Sequence, residues 1–280
     1  MDAAVAGLPD LVAAVRGAVR HEILVVTGAG VSLASGVPTF RGSDPGAIWK
    51  RDVTELGTHR FWAEDPAGSW AWYLSRFDKL RGARPNPGHF ALAALERWQV
   101  ARGGGFLLVT QNIDTLHERA GSERLVKVHG TSDRYRCDRE RCPFGPPSGS
   151  IPAAEVDLDP FRAAPTIDNV PRCPECGGFL RLHVLWFDEF YTQHADYRFD
   201  EVVRSARRDA GLVVFVGTSF SVGVTALVLE GALLRGVEVL NVDPEPTVDD
   251  ELIRNVVAPS EVALPMLCLE LGIALLERER

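Results

Sequence analysis

The amino-acid sequence predicts a doubly wound α/β fold, in which helices cover both faces of a parallel sheet. Two observations lead to it: short runs rich in β-branched residues alternate with segments of helical period, and each run ends in a polar or glycine-rich cluster. The predicted strands are Ile23–Thr27, Phe106–Thr110, Leu125–Val128, Leu212–Val216 and Val237–Val242. The helical segments between them include His89–Trp98, Phe199–Asp209 and Thr225–Leu234.

The clusters that end these runs predict a single ligand site. In open parallel sheets, ligands bind at the carboxyl ends of the strands, so residues that follow different strands meet at one edge. The clusters are Gly28-Ala29-Gly30, Gln111-Asn112-Ile113-Asp114, His129-Gly130, Gly217-Thr218-Ser219 and Asn241-Val242-Asp243.

The loop after the first run has the composition of a dinucleotide-binding turn. Glycines at 28 and 30 let the backbone approach a pyrophosphate, whose charge is met by free N–H groups. Two glycines after a strand also occur in ordinary turns, so the longer string Gly28–Arg41 is the more specific signal. It runs on through Phe40 and Arg41, and an aromatic ring and a fixed cation there favour a site that also handles the nicotinamide end.

Composition favours a soluble cytoplasmic protein. The 280 residues are 46% hydrophobic and 24% charged, and the net charge of −8 provides no global basic field for nucleic acid or an anionic membrane. Charged residues and a proline interrupt the N-terminus, which is therefore not expected to be a secretory signal. No apolar run approaches the roughly 20 residues that span a bilayer. One N-terminal helix face is predicted from Leu8, Leu11, Val12, Val15 and Val19.

Four of the five cysteines have the spacing of a zinc site. Cys137 and Cys142 are separated by four residues, and Cys173 and Cys176 by two. In a chain without an export signal, such pairs indicate metal ligands before disulfides, although four unligated thiols remain an alternative. Four thiolates close a tetrahedral shell, so the predicted zinc is structural. Cys268 stands in an apolar run and is expected to be a buried small hydrophobe.

Two stretches interrupt the strand–helix alternation and predict a smaller lobe formed by insertions. Residues 43–88 are rich in aromatic residues, and residues 131–182 hold the four paired cysteines and many prolines but no periodic core. We therefore assign a Rossmann-like large lobe to about 1–42, 89–130 and 183–280. The small lobe comprises 43–88, which is helical, and 131–182, the zinc module, with a linker-like stretch at Pro143–Pro152.

The chain resembles the sirtuins, the NAD-dependent protein deacylases. The matching strings occur in the family's order and cover nearly the whole chain. They are GAGVSLASGVPTFRG (28–42), TQNIDTLHERAG (110–121), VHG (128–130), the two cysteine pairs, LWFDE (185–189), GTS (217–219) and NVD (241–243).

The resemblance implies that Asn112 and Asp114 hold the nicotinamide carboxamide and a water, with Gln111 and Ile113 around the nicotinamide and its ribose. Amide and carboxylate groups suit hydrogen bonds to a carboxamide. A polar helix cap is the alternative, since Asn and Asp are favoured at helix starts. The resemblance also assigns six residues of the first loop to the cofactor: Gly28, Ala29, Gly30, Thr39, Phe40 and Arg41.

His129 follows a predicted strand and is the candidate general base. A lone histidine at a strand end is often structural, but an imidazole with a pKa near neutrality suits base catalysis. In the chemistry that the resemblance implies, the acyl oxygen of the substrate lysine attacks C1′ of the NAD ribose and expels nicotinamide. His129 then accepts a ribose hydroxyl proton, and the acyl group passes to ADP-ribose.

Leu185, Trp186 and Phe187 resemble the family's substrate-peptide strand, whose backbone pairs with the bound peptide and whose aromatic residues line the acyl-lysine channel. Asp188 stands where the family more often has glycine. Its charge would either favour basic flanking sequences in the substrate or point outward without effect.

Tyr73 and Arg76 are spaced to share one helix face. A solvated arginine beside a packed tyrosine is the structural interpretation. Sirtuins that remove succinyl or malonyl groups resemble the chain here; their Tyr and Arg bind the distal carboxylate, a task that suits a guanidinium fork. Thr39, where many deacetylases have Asp, is shared with that subgroup.

The resemblance completes the NAD site with two further clusters. Gly217, Thr218 and Ser219 are expected near the phosphates, and Asn241 and Asp243 at the adenosine ribose. An acidic group that bonds a ribose diol is typical of sites for NAD, because it repels a 2′-phosphate. Many sirtuins have Glu near this second position.

The predicted function is NAD-dependent removal of acyl groups from protein lysines, with succinyl and malonyl preferred and acetyl possible. Acyl-lysine proteins or peptides are the expected partners, without nucleic acid or membrane. A sirtuin-like NADase or mono-ADP-ribosyltransferase is the alternative enzyme, which Asp188 favours. A catalytically silent NAD-binding module is a third hypothesis. His129 and the acyl-lysine strand Leu185–Phe187 argue against the NADase or transferase hypothesis. His129, Asn112 and Asp114 together argue against the silent binding module.

Overall fold

The computed structural model describes residues 5–38, 53–80, 82–248, 251 and 253–275. In chain order the strands are β1 (Glu22–Thr27), β2 (Gly105–Thr110), β3 (Leu125–Lys127), β4 (Gly130–Cys137), β5 (Ile151–Pro152), β6 (Leu180–Val184), β7 (Ala210–Val216), β8 (Glu238–Val242) and β9 (Arg254–Val256). The α-helices are α1 (Leu8–Gly17), α2 (Val53–Leu56), α3 (His59–Glu64), α4 (Pro66–Leu80), α5 (Pro87–Ala101), α6 (Leu116–Ala120), α7 (Asp159–Ala163), α8 (Phe199–Arg204), α9 (Gly223–Leu234) and α10 (Ser260–Leu271).

A six-stranded parallel sheet in the order β3-β2-β1-β7-β8-β9 forms the centre of the protein. The chain leaves β1 toward β2 and β3 on one side and returns to β7 and β8 on the other. This reversal is a topological switch point, where a crevice opens at the carboxyl ends of the strands. The predicted α/β class is confirmed, and all five predicted strands are present.

The two faces of the sheet bury separate cores because side chains alternate along each strand. On β1, Ile23 and Val25 pack with α1, α5 and α10, whereas Leu24 and Val26 pack with α8 and α9. All four are fully buried. Each such side chain contributes about 1.5–3 kcal/mol relative to an exposed one, so the apolar run that predicted β1 also holds the helices on both faces.

Several elements differ from the sequence predictions. Helix α1 ends at Gly17, so Val19, which was predicted to lie on its apolar face, lies outside the helix and is 46% exposed. The predicted helix Phe199–Asp209 divides into α8 and a π-helical turn, Ser205–Asp209. The predicted linker at Pro143–Pro152 contributes β5 to a second sheet.

That second sheet is antiparallel, has the order β5-β4-β6 and shares a core with helices α3 and α4. Trp62 and Trp70 are buried against residues of β4 and β6, and the indole Nε1–H of Trp70 donates to the Leu180 carbonyl at 2.7 Å. The cysteine-bearing segment therefore lacks a periodic core in sequence because the aromatic residues of α3 and α4 supply part of it.

In the described part of the chain, no helix is long and apolar enough to cross a membrane.

Candidate active site at the carboxyl edge of the parallel sheet

The loops after β1 and β7 meet backbone to backbone at the switch point. The Gly30 N–H donates to the Gly217 carbonyl at 2.9 Å, and the Gly28 N–H donates to the Val216 carbonyl at 3.1 Å. A Cβ on Gly30 would lie 2.7 Å from the Gly217 Cα, and Gly217 has a φ of +57°. Only glycine meets both demands without strain. The predicted clusters at 28–30 and 217–219 are thus in direct contact.

Asn112 is buried and fixed by three hydrogen bonds, two to the loop after β1 and one to the end of the preceding strand, β2. Its Nδ2 group donates to the Gly28 carbonyl at 3.0 Å and to the Ser32 hydroxyl at 3.1 Å, and its backbone N–H donates to the Thr110 hydroxyl at 3.1 Å. The Ser32 hydroxyl in turn donates to the Asp114 carboxylate at 2.9 Å. Asn112 and Asp114 are therefore joined through a side chain from the loop after β1.

Ser32 is a site residue that sequence reasoning missed. It lies in the 3-10 helix Ala29–Ser35 and is fully buried. The available signal was a small hydroxyl residue inside the glycine loop. The cap interpretation also applies to Asp114, whose second carboxylate oxygen accepts from the Leu116 N–H at the start of α6, at 3.0 Å.

Gln111 connects three of the predicted clusters. Its side-chain amide donates to the Thr218 hydroxyl at 3.1 Å, and its backbone carbonyl lies 2.9 Å from Nδ1 of His129. Two residues on, the carbonyl of Ile113 accepts from the Ser132 N–H at 2.8 Å. The ends of β1, β2, β3 and β7 are thus linked, as predicted.

His129 is half-buried and neutral at physiological pH. Burial lowers the pKa of its imidazole to about 4, against an opposing effect of the Gln111 carbonyl. Because a carbonyl only accepts, Nδ1 carries the hydrogen, and the lone pair is on Nε2. This tautomer is the one that a base acting through Nε2 requires.

The segment Leu185–Phe187 is not a strand in the described structure: β6 ends at Val184. The Leu185 N–H donates to the His129 carbonyl at 2.9 Å, which sets the segment beside the candidate base. The Phe187 N–H donates to the Gly57 carbonyl at 3.0 Å, so that amide already has a partner. Trp186 is 1% exposed and Phe187 is 53% exposed.

Asp188 caps a helix. Its carboxylate accepts from the backbone N–H groups of His59 at 2.7 Å and Arg60 at 3.1 Å, in the first turn of α3. These N–H groups have no partner within the helix, and a negative charge at a helix N-terminus is favourable. The carboxylate therefore has a structural task that its position in the sequence did not reveal.

Tyr73 and Arg76 share one face of α4 but have different surroundings. Tyr73 is buried, its ring stacks on Trp186 with centroids 6.5 Å apart, and burial raises the pKa of its phenol. The Arg76 guanidinium lies 3.8 Å above the Trp72 ring and donates to the Trp72 carbonyl at 2.8 Å. Tyr73 thus reaches the segment beside His129, and Arg76 lies along its own helix.

A buried ion pair that the sequence did not indicate fixes Trp186. Arg181 donates to Glu189 at 2.6 and 2.9 Å, Arg136 donates to Glu189 at 3.2 Å, and Glu189 accepts the Trp186 N–H at 2.9 Å. The Arg181 guanidinium lies 3.2 Å from the centre of the indole. Burial alone would raise the pKa of Glu189, but the two arginines lower it overall. In the sequence, only Glu189, the final residue of LWFDE, pointed to this ion pair.

The remaining predicted cofactor residues surround the β7 and β8 ends less tightly. The Asn241 side chain is buried and donates to Asn255 of β9 at 3.0 Å. Asp243 is half-buried, accepts from the Glu245 N–H at 2.9 Å, and burial raises its pKa. Ser219 is exposed, with its hydroxyl 2.8 Å from that of Ser221. The predicted residues Thr39, Phe40 and Arg41 lie outside the described residues.

The four paired cysteines converge as predicted. Their sulfur atoms all lie within 4.8 Å of one another, with Cys137 and Cys176 3.4 Å apart and Cys142 and Cys173 3.6 Å apart. Tetrahedral zinc with Zn–S bonds of about 2.3 Å separates its sulfur ligands by roughly 3.8 Å, so the cluster fits this ion and leaves no open position. Cys268 is buried elsewhere, as predicted, and burial raises its pKa to about 12.

A second group of possible ligands, His183, His194 and Asp196, is accounted for by internal hydrogen bonds. His194 accepts the Asp196 N–H at Nδ1 and donates from Nε2 to the Gly149 carbonyl, at 3.2 and 3.1 Å. His183 Nε2 lies 3.1 Å from the Asp196 carboxylate. These bonds occupy the lone pair of His194 that a metal would need.

Comparison with known proteins identifies the family. The fold and site define an α/β protein of the dinucleotide-binding class, and the model of the Sir2 family matches residues 28–224. The chain is 40% identical over 228 residues to an NAD-dependent protein deacylase of Thermus thermophilus, with 81% of each chain covered. It is 35% identical over 251 residues to NAD-dependent protein deacylase 1 of Archaeoglobus fulgidus. The aligned region covers 84% of this chain and 92% of that protein.

Solved structures agree with this result. A Sir2 homologue in complex with NAD has a TM-score of 0.75 and 32% identity, over 94% of this chain and 93% of that one. A variant of a Sir2 homologue in complex with ADP-ribose has a TM-score of 0.77 and 31% identity, over 94% and 96%. The chain belongs to the Sir2 family.

The cysteine cluster predicts a zinc content that depends on its four members. Changing Cys173→Ser should lower bound zinc from one equivalent to near zero and lower the melting temperature, because the metal supplies folding energy to its lobe. Zinc is measured by plasma mass spectrometry after gel filtration. Cys268→Ser is the matched control and should keep its zinc. Full zinc retention in Cys173→Ser would contradict the assignment.

The glycine contact predicts that Gly30→Ala damages the cofactor site. The added methyl would press on Gly217, so the two loops must separate, and we expect NAD affinity to fall at least tenfold, as measured by calorimetry. Gly17→Ala is the control, because a Cβ there meets no atom within 4 Å. Equal NAD affinity in both variants would show that the loop contact is not needed for binding.

Proposed function

We propose that the protein removes acyl groups from lysine side chains with NAD as co-substrate and prefers succinyl and malonyl groups to acetyl. NAD-dependent protein deacylation is the activity of the Sir2-family relatives that match four-fifths of the chain at 35–40% identity, and it is the activity of this chain. The preference for acidic acyl groups and the residue roles below are the finer part of the proposal.

The observation that carries the residue assignment is the position of His129. Its neutral imidazole is bonded through Nδ1 to the backbone of Gln111, next to Asn112, and its own carbonyl bonds Leu185. The candidate base, the amide residues Gln111 and Asn112, and the candidate peptide segment are therefore connected through hydrogen bonds of His129.

Each group then has a defined task. When bound as co-substrate, NAD would supply the ribose carbon that the acyl oxygen attacks as nicotinamide leaves. A water would then add at the acyl carbon, the lysine amine would depart, and the acyl group would remain on ADP-ribose. Asn112 and Asp114, held through Ser32, present fixed polar groups to the carboxamide. His129 takes a ribose hydroxyl proton at Nε2, where its lone pair lies. The loops at Gly28 and Gly217 receive the phosphates.

The acyl preference rests on Tyr73 and Arg76. The phenol of Tyr73 stays protonated because burial raises its pKa, and a guanidinium is always charged, so the pair offers a neutral donor and a cation to a distal carboxylate. The stacking of Tyr73 on Trp186 supports a position along the acyl-lysine path. The bonds between Arg76 and Trp72 would have to yield to a carboxylate, which binds a guanidinium more strongly than a carbonyl does.

Asp188 no longer favours the alternative activities. Its carboxylate accepts hydrogen bonds from the first turn of α3, so its presence is explained by helix capping and needs no ADP-ribose acceptor other than the acyl group.

The proposed function is tested by incubating the protein with NAD and matched acetyl-, malonyl- and succinyl-lysine peptides and identifying the products by mass spectrometry. Peptide-dependent nicotinamide release with O-acyl-ADP-ribose is the expected result. Free ADP-ribose without peptide would indicate an NADase, and no turnover would indicate a binding module.

Replacing the candidate base should stop product formation. His129→Ala removes the proton acceptor, so we expect O-acyl-ADP-ribose formation to fall by at least about 100-fold. NAD affinity, measured by calorimetry, should change little, because the loops at Gly28 and Gly217 remain. Full activity of this variant would remove His129 from the mechanism.

Replacing Arg76, the residue proposed to select acidic acyl groups, should lower activity on succinyl peptides alone. Arg76→Gln removes the cation, and we expect kcat/KM for succinyl peptide to fall roughly 10- to 100-fold, the value of a charged hydrogen bond. The acetyl form of the same peptide is the internal control and should change less than threefold. Arg97→Gln, an exposed change on α5, controls for net charge. Equal losses on both substrates would exclude Arg76 as a selector.

A further inference from the structure

A tyrosine that the resemblance did not assign lies against the candidate base. Tyr191 begins the 3-10 turn Tyr191–Gln193, two residues after Glu189. Its hydroxyl is 3.3 Å from Nε2 of His129, and the two rings are nearly parallel, with centroids 5.8 Å apart and planes inclined by 20°. The contact involves the nitrogen that the proposed reaction uses.

Donor and acceptor rules fix the direction of this hydrogen bond. Nδ1 of His129 donates to the Gln111 carbonyl, so Nε2 has only a lone pair and the Tyr191 hydroxyl is the donor. The hydroxyl hydrogen therefore points toward the imidazole.

The tyrosine ring is itself held in place. It stacks on Phe199 with centroids 4.5 Å apart and planes inclined by only 9°, and it is half-buried. Burial raises the pKa of Tyr191, so the phenol keeps its proton and remains a donor throughout the range in which the enzyme would work. The partner of Nε2 is therefore a ring that is itself packed against Phe199.

We propose that Tyr191 is a positioning residue for His129: its hydroxyl lies against Nε2 and keeps the ring in the rotamer in which Nε2 serves as the base. The inference rests on the proposed function of His129. At 3.3 Å the bond is at the long end of the range, so a ribose hydroxyl can approach the same nitrogen while the tyrosine hydroxyl stays beside it and holds the ring. Tyr191 neither gains nor loses a proton; the substrate proton goes to Nε2.

This role predicts a selective defect in Tyr191→Phe, which keeps the ring and its stacking but loses the hydroxyl. His129 acts after nicotinamide has left, so O-acyl-ADP-ribose formation should fall roughly five- to tenfold, the size of one net hydrogen bond. Peptide-dependent exchange of labelled nicotinamide into NAD, and the KM values for NAD and peptide, should change less than twofold.

Phe190→Leu is the matched control. Its side chain precedes Tyr191 in sequence and is 71% exposed, so the change should leave the ratio of acyl transfer to nicotinamide exchange unaltered. An unchanged or higher rate of acyl transfer in Tyr191→Phe, or an equal loss of exchange and transfer, would overturn the inference. Wild-type protein that forms no O-acyl-ADP-ribose would instead refute the proposed function on which it rests.

Discussion

The site depends on the backbone contact between the loops after β1 and β7. The glycines at 28, 30 and 217 let two parallel strands end so close together that their loops bond directly, N–H to carbonyl. The Gly28 carbonyl then accepts the amide of Asn112. Ser32, Asp114 and Gln111 are then connected to this pair of loops by further hydrogen bonds. A side chain at Gly28 or Gly30 would collide with the backbone at Gly217 and separate the loops. A wider loop would leave Asn112 without its anchor.

The small lobe reaches the same site through buried charge. Glu189 accepts from two arginines and from the Trp186 backbone, and this network sets the indole against Tyr73. A buried ion pair is weak evidence for stability, because desolvation offsets much of the attraction. The effect of this ion pair is to fix the position of Trp186. An apolar replacement could fill the volume, but it could not bond both β-strand arginines and the amide of Trp186 at once.

The sequence was sufficient for the features that local pattern determines. Apolar runs located β1, β2, β3, β7 and β8, and spacing located the cysteine cluster. It failed where tertiary contacts decide. The strand β9 has one apolar residue among three, and β5 is two residues long, so neither forms an apolar run like those that located the other strands. Ser32, Arg181 and Tyr191 are ordinary residue types whose roles arise from what the fold brings to them. Asp188 shows the opposite error, a charge expected at a groove that instead caps α3.

The side chains next to His129 in the cluster are neutral. Burial keeps His129 uncharged, Gln111 and Asn112 are amides, and Tyr191 remains a phenol. A neutral imidazole with a fixed tautomer accepts a proton without first losing one, whereas a charged histidine would repel a positively charged nicotinamide and have no free lone pair. The hydrogen bond from Nδ1 to the Gln111 carbonyl then stabilises the charge that appears when Nε2 takes the proton. One backbone carbonyl thus selects the tautomer before the step and stabilises its product afterwards.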